Sequence, residues 1–138
     1  MPEKISVVYL EPYERLCDKC LKRFKQAAPD INFLTAGSMA EIATFIRDFG
    51  SEIKLIISEW VFPIDPGSEL EFEAGRYLGE RLRTHPNPDV PAIPVIICTS
   101  QSRDLHEFPD NLFHNLLWVK KGDFPESFEQ IIERLKQL

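Results

Sequence analysis

The sequence predicts a single α/β domain in which a parallel sheet lies between two layers of helices. Apolar, β-rich runs alternate with segments of helical periodicity along the whole chain, which is typical of this architecture. The runs at 53–58 and 95–99 are apolar almost throughout, as strands of a parallel sheet covered on both faces must be. We therefore expect a three-layer, doubly wound sandwich that occupies residues 1–138 as one domain.

The first strand and helix have clear ends. Residues 5–10 (ISVVYL) are predicted as a buried strand, and Glu11-Pro12 suits the start of a helix because proline is tolerated in the first turn. Pro29 ends that helix. Its predicted buried stripe consists of Leu16, Cys20, Phe24 and Ala27.

The second strand and helix follow at once. Residues 31–36 are predicted as a strand, and Ser38 with Glu41 forms a capping box at the start of a helix. Gly50 is a plausible end for that helix. Its apolar residues recur at i, i+3, i+4 and i+7, namely Ile42, Phe45, Ile46 and Phe49.

The second half of the chain is predicted to contain three strands and two clear helices. The strands are 53–58, 95–99 and 116–120; a helix at 74–83 follows the first of them, and another begins near Pro125. The last helix would bury Phe128, Ile131, Ile132 and Leu135. Residues 102–115 contain Pro109 and show no clean helical stripe, so the fourth helix is the weakest predicted element.

Composition excludes several classes of function. The formal net charge of −6 and the pI of about 5.1 argue against a nucleic-acid binder, which needs a basic surface. No apolar run is long enough to cross a membrane, and Met1-Pro2-Glu3-Lys4 does not begin a signal peptide. Three cysteines, an odd number, fit a reducing compartment, so we expect a cytoplasmic protein.

Four motifs in this order resemble the receiver domains of two-component response regulators. Residues 7–12 read VVYLEP, where the family typically has V-V-D-D-E-P. Residues 56–63 read IISEWVFP, with Glu59 four positions before a proline, as the family's acceptor aspartate is. The stretches GRYLGERLR at 75–83 and IPVIICT at 93–99 match the family's third helix and fourth strand.

The resemblance implies a (βα)5 flavodoxin-like fold with the strand order 2-1-3-4-5. It also implies a lysine at the end of the fifth strand. Lys120 and Lys121 both stand there, and Lys121 has the family's spacing of three from an aromatic residue, Trp118. The family's switch hydroxyl would be Thr99, and Trp118 would be its switch aromatic; an ordinary residue half-covering a sheet edge is the alternative for Trp118.

The departures from the family pattern concern its acidic chemistry. Tyr9 and Leu10 replace the acidic pair that holds Mg²⁺ in the family, and neither can supply the oxygen ligands that Mg²⁺ requires. Glu11 comes one position too late and would need a shifted register to contribute. We therefore expect a degenerate site without metal, cofactor or catalytic residues, in a protein that is not an enzyme.

Glu59 at the acceptor position is longer than aspartate by one methylene, or roughly 1.5 Å. It could mimic the active state by pairing with the lysine, or it could be a tolerated residue of a vestigial site. We expect the ion pair to be partly exposed and to contribute about 1 kcal/mol or less. The loop at 64–74 is longer than in the family and acidic, and it is either a binding surface or a solvated insertion.

Cys17 and Cys20 form a C-x-x-C motif, which leaves a thiol redox protein as the alternative function. The pair falls inside the helix, with Cys20 on the apolar stripe, which favours structural cysteines. A zinc site is disfavoured because no further cysteine or histidine has ligand spacing.

We therefore interpret the sequence as a non-catalytic receiver-like module that acts by binding a signalling protein. A homodimer through the face of the fourth helix, fifth strand and fifth helix is one form of this, and neither nucleic acid nor membrane is expected as a direct partner. The aromatic and histidine residues of that region would then form an exposed contact patch: His106, Phe108, Phe113, His114 and Trp118.

Overall fold

The computed structural model describes residues 5–138, and its centre is a five-stranded parallel sheet. Its strands and those of a small hairpin are β1 (Ser6–Leu10), β2 (Asn32–Ala36), β3 (Ile53–Ser58), β4 (Phe62–Pro63), β5 (Leu70–Glu71), β6 (Pro94–Thr99) and β7 (His114–Lys120). The helices are α1 (Glu14–Ala27), α2 (Met39–Phe49), α3 (Ala74–Arg83) and α4 (Glu126–Lys136). The main sheet has the order β2-β1-β3-β6-β7, which confirms the predicted fold class and strand order.

Alternate side chains of the central strands enter two separate cores. In β1, Val7 and Tyr9 pack under α1 and α4, whereas Val8 and Leu10 pack under α2 and α3. All four are buried, because each face of the strand is covered by a helical layer. This explains why the strands read as continuous apolar runs instead of alternating with polar residues.

The capping box at the start of α2 forms, except that the Glu41 carboxylate binds the amide of Gly37 instead of that of Ser38. The Ser38 hydroxyl accepts a hydrogen bond from the Glu41 amide at 3.3 Å, as predicted. The Glu41 carboxylate reaches back to the Gly37 amide, also at 3.3 Å, and accepts from the Ser38 hydroxyl. The helix therefore begins where the sequence predicted.

The fourth helix predicted between the last two strands is not formed. The segment from residue 100 to 113 contains a single 3-10 turn, Arg103–Leu105, and otherwise irregular backbone. Pro109 disfavours a helix there, and the buried side chains of this segment cover the sheet directly. The predicted face of fourth helix, fifth strand and fifth helix therefore lacks its first element.

The long acidic loop contains a hairpin that the sequence analysis did not predict. In it, β4 pairs antiparallel with β5, so that Phe62 lies opposite Glu71 and Pro63 opposite Leu70. Phe62 is fully buried and attaches the hairpin to the core. The Gly75 amide, at the start of α3, donates to the Trp60 carbonyl at 2.8 Å and closes the base of the hairpin.

Across residues 5–138, none of the helices combines the length and the apolar character that a membrane span requires. The expectation about Met1-Pro2-Glu3-Lys4 concerns residues outside this described part of the chain.

Gly75→Ala should lower the free energy of unfolding by about 1–3 kcal/mol, because the protein is already packed where the new methyl group would lie. A Cβ at Gly75 would come within 2.4 Å of Cε3 of the Trp60 indole. Urea denaturation of the two proteins measures the difference. Gly122→Ala is the matched control, since no atom lies within 4 Å of its Cβ position, and it should change the free energy by less than about 0.5 kcal/mol.

Candidate functional site

Three charged side chains meet at the carboxyl edge of the main sheet. Glu11 follows β1, Glu59 follows β3, and Lys121 follows β7. The sheet register pairs Leu10 with Ser58, and the Glu59 amide donates to the Leu10 carbonyl at 3.0 Å, so the two glutamates leave neighbouring strands side by side. In open α/β sheets, this edge is where ligands usually bind.

The Lys121 ammonium lies between the two carboxylates. Its Nζ is 2.5 Å from Oε1 of Glu11 and 2.9 Å from Oε1 of Glu59. The second oxygen of Glu59 accepts from the backbone amides of Trp60 and Val61, and that of Glu11 accepts from the Tyr13 amide at 3.1 Å. Every carboxylate oxygen of the site therefore has a hydrogen-bond donor.

The group is more deeply buried than the sequence analysis expected. The side chain of Glu11 is 1% exposed, that of Glu59 6%, and that of Lys121 16%. Burial alone would lower the pKa of Lys121, but the charges of Glu59 and Glu11 outweigh it and raise the pKa. The expectation of a partly exposed pair was therefore wrong for Glu59, whereas the expected contribution to stability stays a prediction.

Burial raises the pKa of the Glu11 carboxyl, and the hydrogen bond and charge of Lys121 only partly offset this increase. The one ammonium is shared between two carboxylates, which leaves the group with a formal charge of −1. As the pH falls, Glu11 therefore takes up a proton at a higher pH than an ordinary glutamate does.

The position of Glu11 differs from the sequence-based expectation. The chain leaves β1 after Leu10 and turns Glu11 into the site, while the pairing of β1 with β3 stays in register from Val7 to Leu10. Tyr9 and Leu10 occupy the two cores and are remote from solvent, and burial raises the pKa of the Tyr9 phenol far above its ordinary value. Lys121 is the lysine that faces the carboxylates.

The residues at this edge do not fit a resident Mg²⁺ ion. Two carboxylates are present, but each already has Lys121 and backbone amides as partners. Leu10, the last residue of β1, is apolar and fully buried, so it supplies no oxygen ligand. Among residues 5–138, no group of three or more acidic, histidine or cysteine side chains is arranged to hold a metal ion.

Thr99 and Trp118 are connected through one residue that the sequence analysis missed, Gln101. The Thr99 hydroxyl accepts from the Gln101 amide at 3.4 Å, and the Trp118 indole donates to the Gln101 carbonyl at 2.9 Å. The Gln101 side chain also contacts Nε2 of His106. An amide side chain in a loop carries no distinctive sequence signal, so only the fold could reveal this connection.

Trp118 packs inward, onto an aromatic cluster that takes the place of the missing helix. Its ring centroid lies 5.3 Å from that of Trp60. Trp60 is fully buried, and its ring centroid is also 4.7 Å from that of His106. The members of the cluster are Trp60, Phe72, His106, Phe108, Phe113 and Trp118. Of the five residues expected in an exposed contact patch, His106 and Phe113 are buried, Phe108 and Trp118 are half-buried, and His114 alone is exposed.

All three cysteines are free and buried. Burial raises the pKa of Cys17 to about 11 and that of Cys98 to about 12, and it raises the pKa of Cys20 as well. A redox-active thiol needs a lowered pKa and access to its substrate. The geometry thus gives no support to the alternative of a thiol redox protein.

No family model and no curated protein matches the sequence. Solved structures do match: the chemotaxis response regulator CheY4 of Vibrio cholerae has a TM-score of 0.69 at 15% identity, covering 96% of this chain and 99% of that one. The chain has the receiver-domain fold. The receiver domain of HemR from Leptospira biflexa gives a TM-score of 0.69 at 17% identity, with 98% and 96% covered.

A putative response regulator from Chloroflexus aurantiacus J-10-fl is similar to the same extent, with a TM-score of 0.68 at 17% identity, covering 97% of this chain and 99% of that one. Sequence identity this low establishes the shared fold. Within that fold, the carboxyl edge of the sheet bears Glu11, Glu59 and Lys121 in this chain.

Lys121→Met should lower the free energy of unfolding by about 3–5 kcal/mol at neutral pH, because it leaves two carboxylates buried without their cation. Lys120→Met is the control and should have little effect, since Lys120 makes no ion pair with any residue in the described part. Chemical denaturation of both variants measures the difference.

The loss in the free energy of unfolding caused by Lys121→Met should become smaller as the pH falls below neutral. A carboxyl whose pKa is raised in the folded state binds a proton more readily there than in the unfolded chain. Acid therefore favours folding of this variant as the pH falls from the raised folded-state pKa of Glu11 to the ordinary pKa of the unfolded chain. A deficit equal to that of Lys120→Met at every pH would contradict the assigned role of Lys121.

The native thiols should react slowly with a disulfide reagent at neutral pH, because burial disfavours the thiolate of every cysteine. Absorbance of the released thiol reports the rate, and the protein unfolded in guanidinium is the control in which all three should react quickly. Rapid labelling of native Cys17 would instead restore the redox alternative.

Proposed function

We propose that this protein is a receiver-like signalling module that acts by binding another protein and takes up no phosphoryl group. The observation that carries the proposal is the Lys121 ammonium held between the carboxylates of Glu11 and Glu59. The receiver-domain fold over nearly the whole chain supports a signalling role. The module would be neither an enzyme nor a cofactor protein, and the expected cytoplasmic location belongs to the same proposal.

The site argues against phosphoryl transfer on two physical grounds. Transfer depends on a cation that neutralises the charge developing on the phosphoryl oxygens, and the Mg²⁺ ligands for this are incomplete here. The Glu59 carboxylate is also held at both oxygens, by Lys121 on one side and by the amides of Trp60 and Val61 on the other. A nucleophile must present a free oxygen to the phosphorus atom, so this arrangement favours an inert carboxylate.

The same contacts support a module with one fixed arrangement. The Glu59–Lys121 ion pair forms without a phosphoryl group, and it joins the ends of β3 and β7. Trp118 is held by Gln101 against Trp60, in the interior of the cluster. A module built this way would be available to its partner continuously, and its regulation would lie in the partner's availability.

Partner binding through the face of the fourth helix, fifth strand and fifth helix, including a homodimer there, is less well supported than the sequence suggested. The helix is replaced by an irregular segment, and its aromatic residues turn inward. Neither nucleic acid nor a membrane is proposed as a partner, since the chain is strongly acidic.

Incubation with Mg²⁺ and acetyl phosphate should leave the mass of the intact protein unchanged. The carboxyl edge has an incomplete set of Mg²⁺ ligands, and neither oxygen of Glu59 is free to attack the phosphorus atom. Glu59→Asp, which restores the usual acceptor type, should also remain unmodified because Leu10 still occupies the position of a metal ligand. Intact-protein mass spectrometry is the measurement. An acid-labile gain of one phosphoryl group per chain in the unaltered protein would refute the proposal.

A further inference from the structure

The β4–β5 hairpin and its flanking residues expose several large apolar side chains to solvent. Leu70, in β5, is 49% exposed, and Phe72, in the turn that follows, is 53% exposed. Ile64, directly after β4, is 36% exposed. The pairing of Pro63 with Leu70 brings these parts of the chain together, so the exposed apolar side chains belong to one short segment instead of being scattered over the protein.

The apolar surface continues onto the segment that replaces the fourth helix. The ring of Phe72 contacts His106 with centroids 5.4 Å apart, and the neighbouring Leu105 is the most exposed large apolar side chain in the described part, at 68%. We call Ile64, Leu70, Phe72 and Leu105 together the hairpin surface. It combines two segments that are more than thirty residues apart in the sequence.

Acidic residues border the hairpin surface. Six carboxylates belong to its two segments: Asp65, Glu69, Glu71, Glu73, Asp104 and Glu107. Two cations lie in or next to these segments. Arg76, in α3, pairs with Glu73 at 3.1 Å, and Arg103 stacks on Phe108 at 4.6 Å and keeps its charge, so the carboxylates outnumber the guanidinium groups six to two. The border therefore presents a strong excess of negative charge to any molecule that approaches.

The hairpin surface is also preorganised. The Ser68 hydroxyl closes the turn by bonding to both the carbonyl and the amide of Asp65, at 2.8 and 3.2 Å. The Ile64 carbonyl accepts from the Ala40 amide at 2.9 Å, which ties the hairpin to α2. A surface fixed in this way loses little conformational entropy when it binds.

We propose that the hairpin surface is the docking site for a basic amphipathic segment of a partner protein. The inference rests on the proposed function, since it identifies the surface through which such a module would bind. The exposed apolar side chains would be covered by the apolar face of the segment, and its lysine or arginine residues would meet the acidic border. An anionic membrane, a nucleic acid or a second copy of the same surface would be repelled by the same border.

The test uses a synthetic amphipathic peptide of leucine and lysine, with the leucines at i, i+3, i+4 and i+7. We expect it to bind and to shift the amide resonances of residues 64–73 and 103–106 in the folded protein. Phe72→Ser should weaken binding about tenfold or more, the factor associated with losing a buried phenylalanine. Glu69→Lys should weaken it too, and the difference should shrink at high salt.

Two matched control variants distinguish binding at the hairpin surface from nonspecific binding of the peptide elsewhere on the protein. Phe49→Ser removes an aromatic ring of similar exposure at the end of α2, and Glu133→Lys makes the same change of charge on α4; both should bind the peptide like the unaltered protein. A second peptide with glutamate in place of lysine should not bind. Analytical ultracentrifugation without peptide should show a monomer.

The proposal is overturned by any of four results: no binding, shifts that map elsewhere, equal loss in the control variants, or equal binding of the acidic peptide. Self-association abolished by Phe72→Ser would assign the surface to a second copy instead. Phosphoryl uptake plays no part in these measurements. Failure here would therefore leave the proposal of a phosphoryl-free module intact, and failure of that proposal would leave this surface intact.

Discussion

The Lys121 ammonium is shared between Glu11 and Glu59, and this contact fixes the carboxyl edge of the main sheet. Burying three charges is unfavourable unless each has its partners, and here backbone amides supply what the lysine does not. The group joins the chain ends of β1, β3 and β7 at one edge of the sheet. It also engages both carboxylates at this edge, so that each of their oxygens accepts a hydrogen bond.

The charged group and the hairpin are connected by a chain of contacts through Trp60 and the aromatic cluster. Glu59 accepts a hydrogen bond from the Trp60 amide, while the Trp60 ring lies in the aromatic cluster and packs against His106 and Trp118. Phe72 extends the same cluster to the hairpin surface. Contacts of this kind can hold a surface in place, and they would transmit a change only if the cluster had a second stable arrangement.

The aromatic cluster also covers the part of the sheet on which the predicted fourth helix would have packed. A helix would cover the sheet with a regular apolar stripe, but the segment after β6 lacks one. His106, Phe108 and Phe113 fill the space instead, and the Gln101 backbone and side chain bind Trp118 and His106. Trp60, provided by the strand end that also carries Glu59, completes the packing from the other side.

Apolar periodicity and helix caps are local signals, and they were enough to predict the sheet and the four helices that form. The candidates Glu59 and Lys121 came instead from the resemblance to receiver domains, which left Lys120 open as an alternative. The fold determined the features that depend on neighbours distant in sequence. It brought Glu11 into the site, since a chain leaving a strand can turn in a direction that no strand register specifies. It revealed Gln101 and the hairpin, and it buried the ion pair, since burial is set by the segments that fold over a residue and leave no pattern beside it.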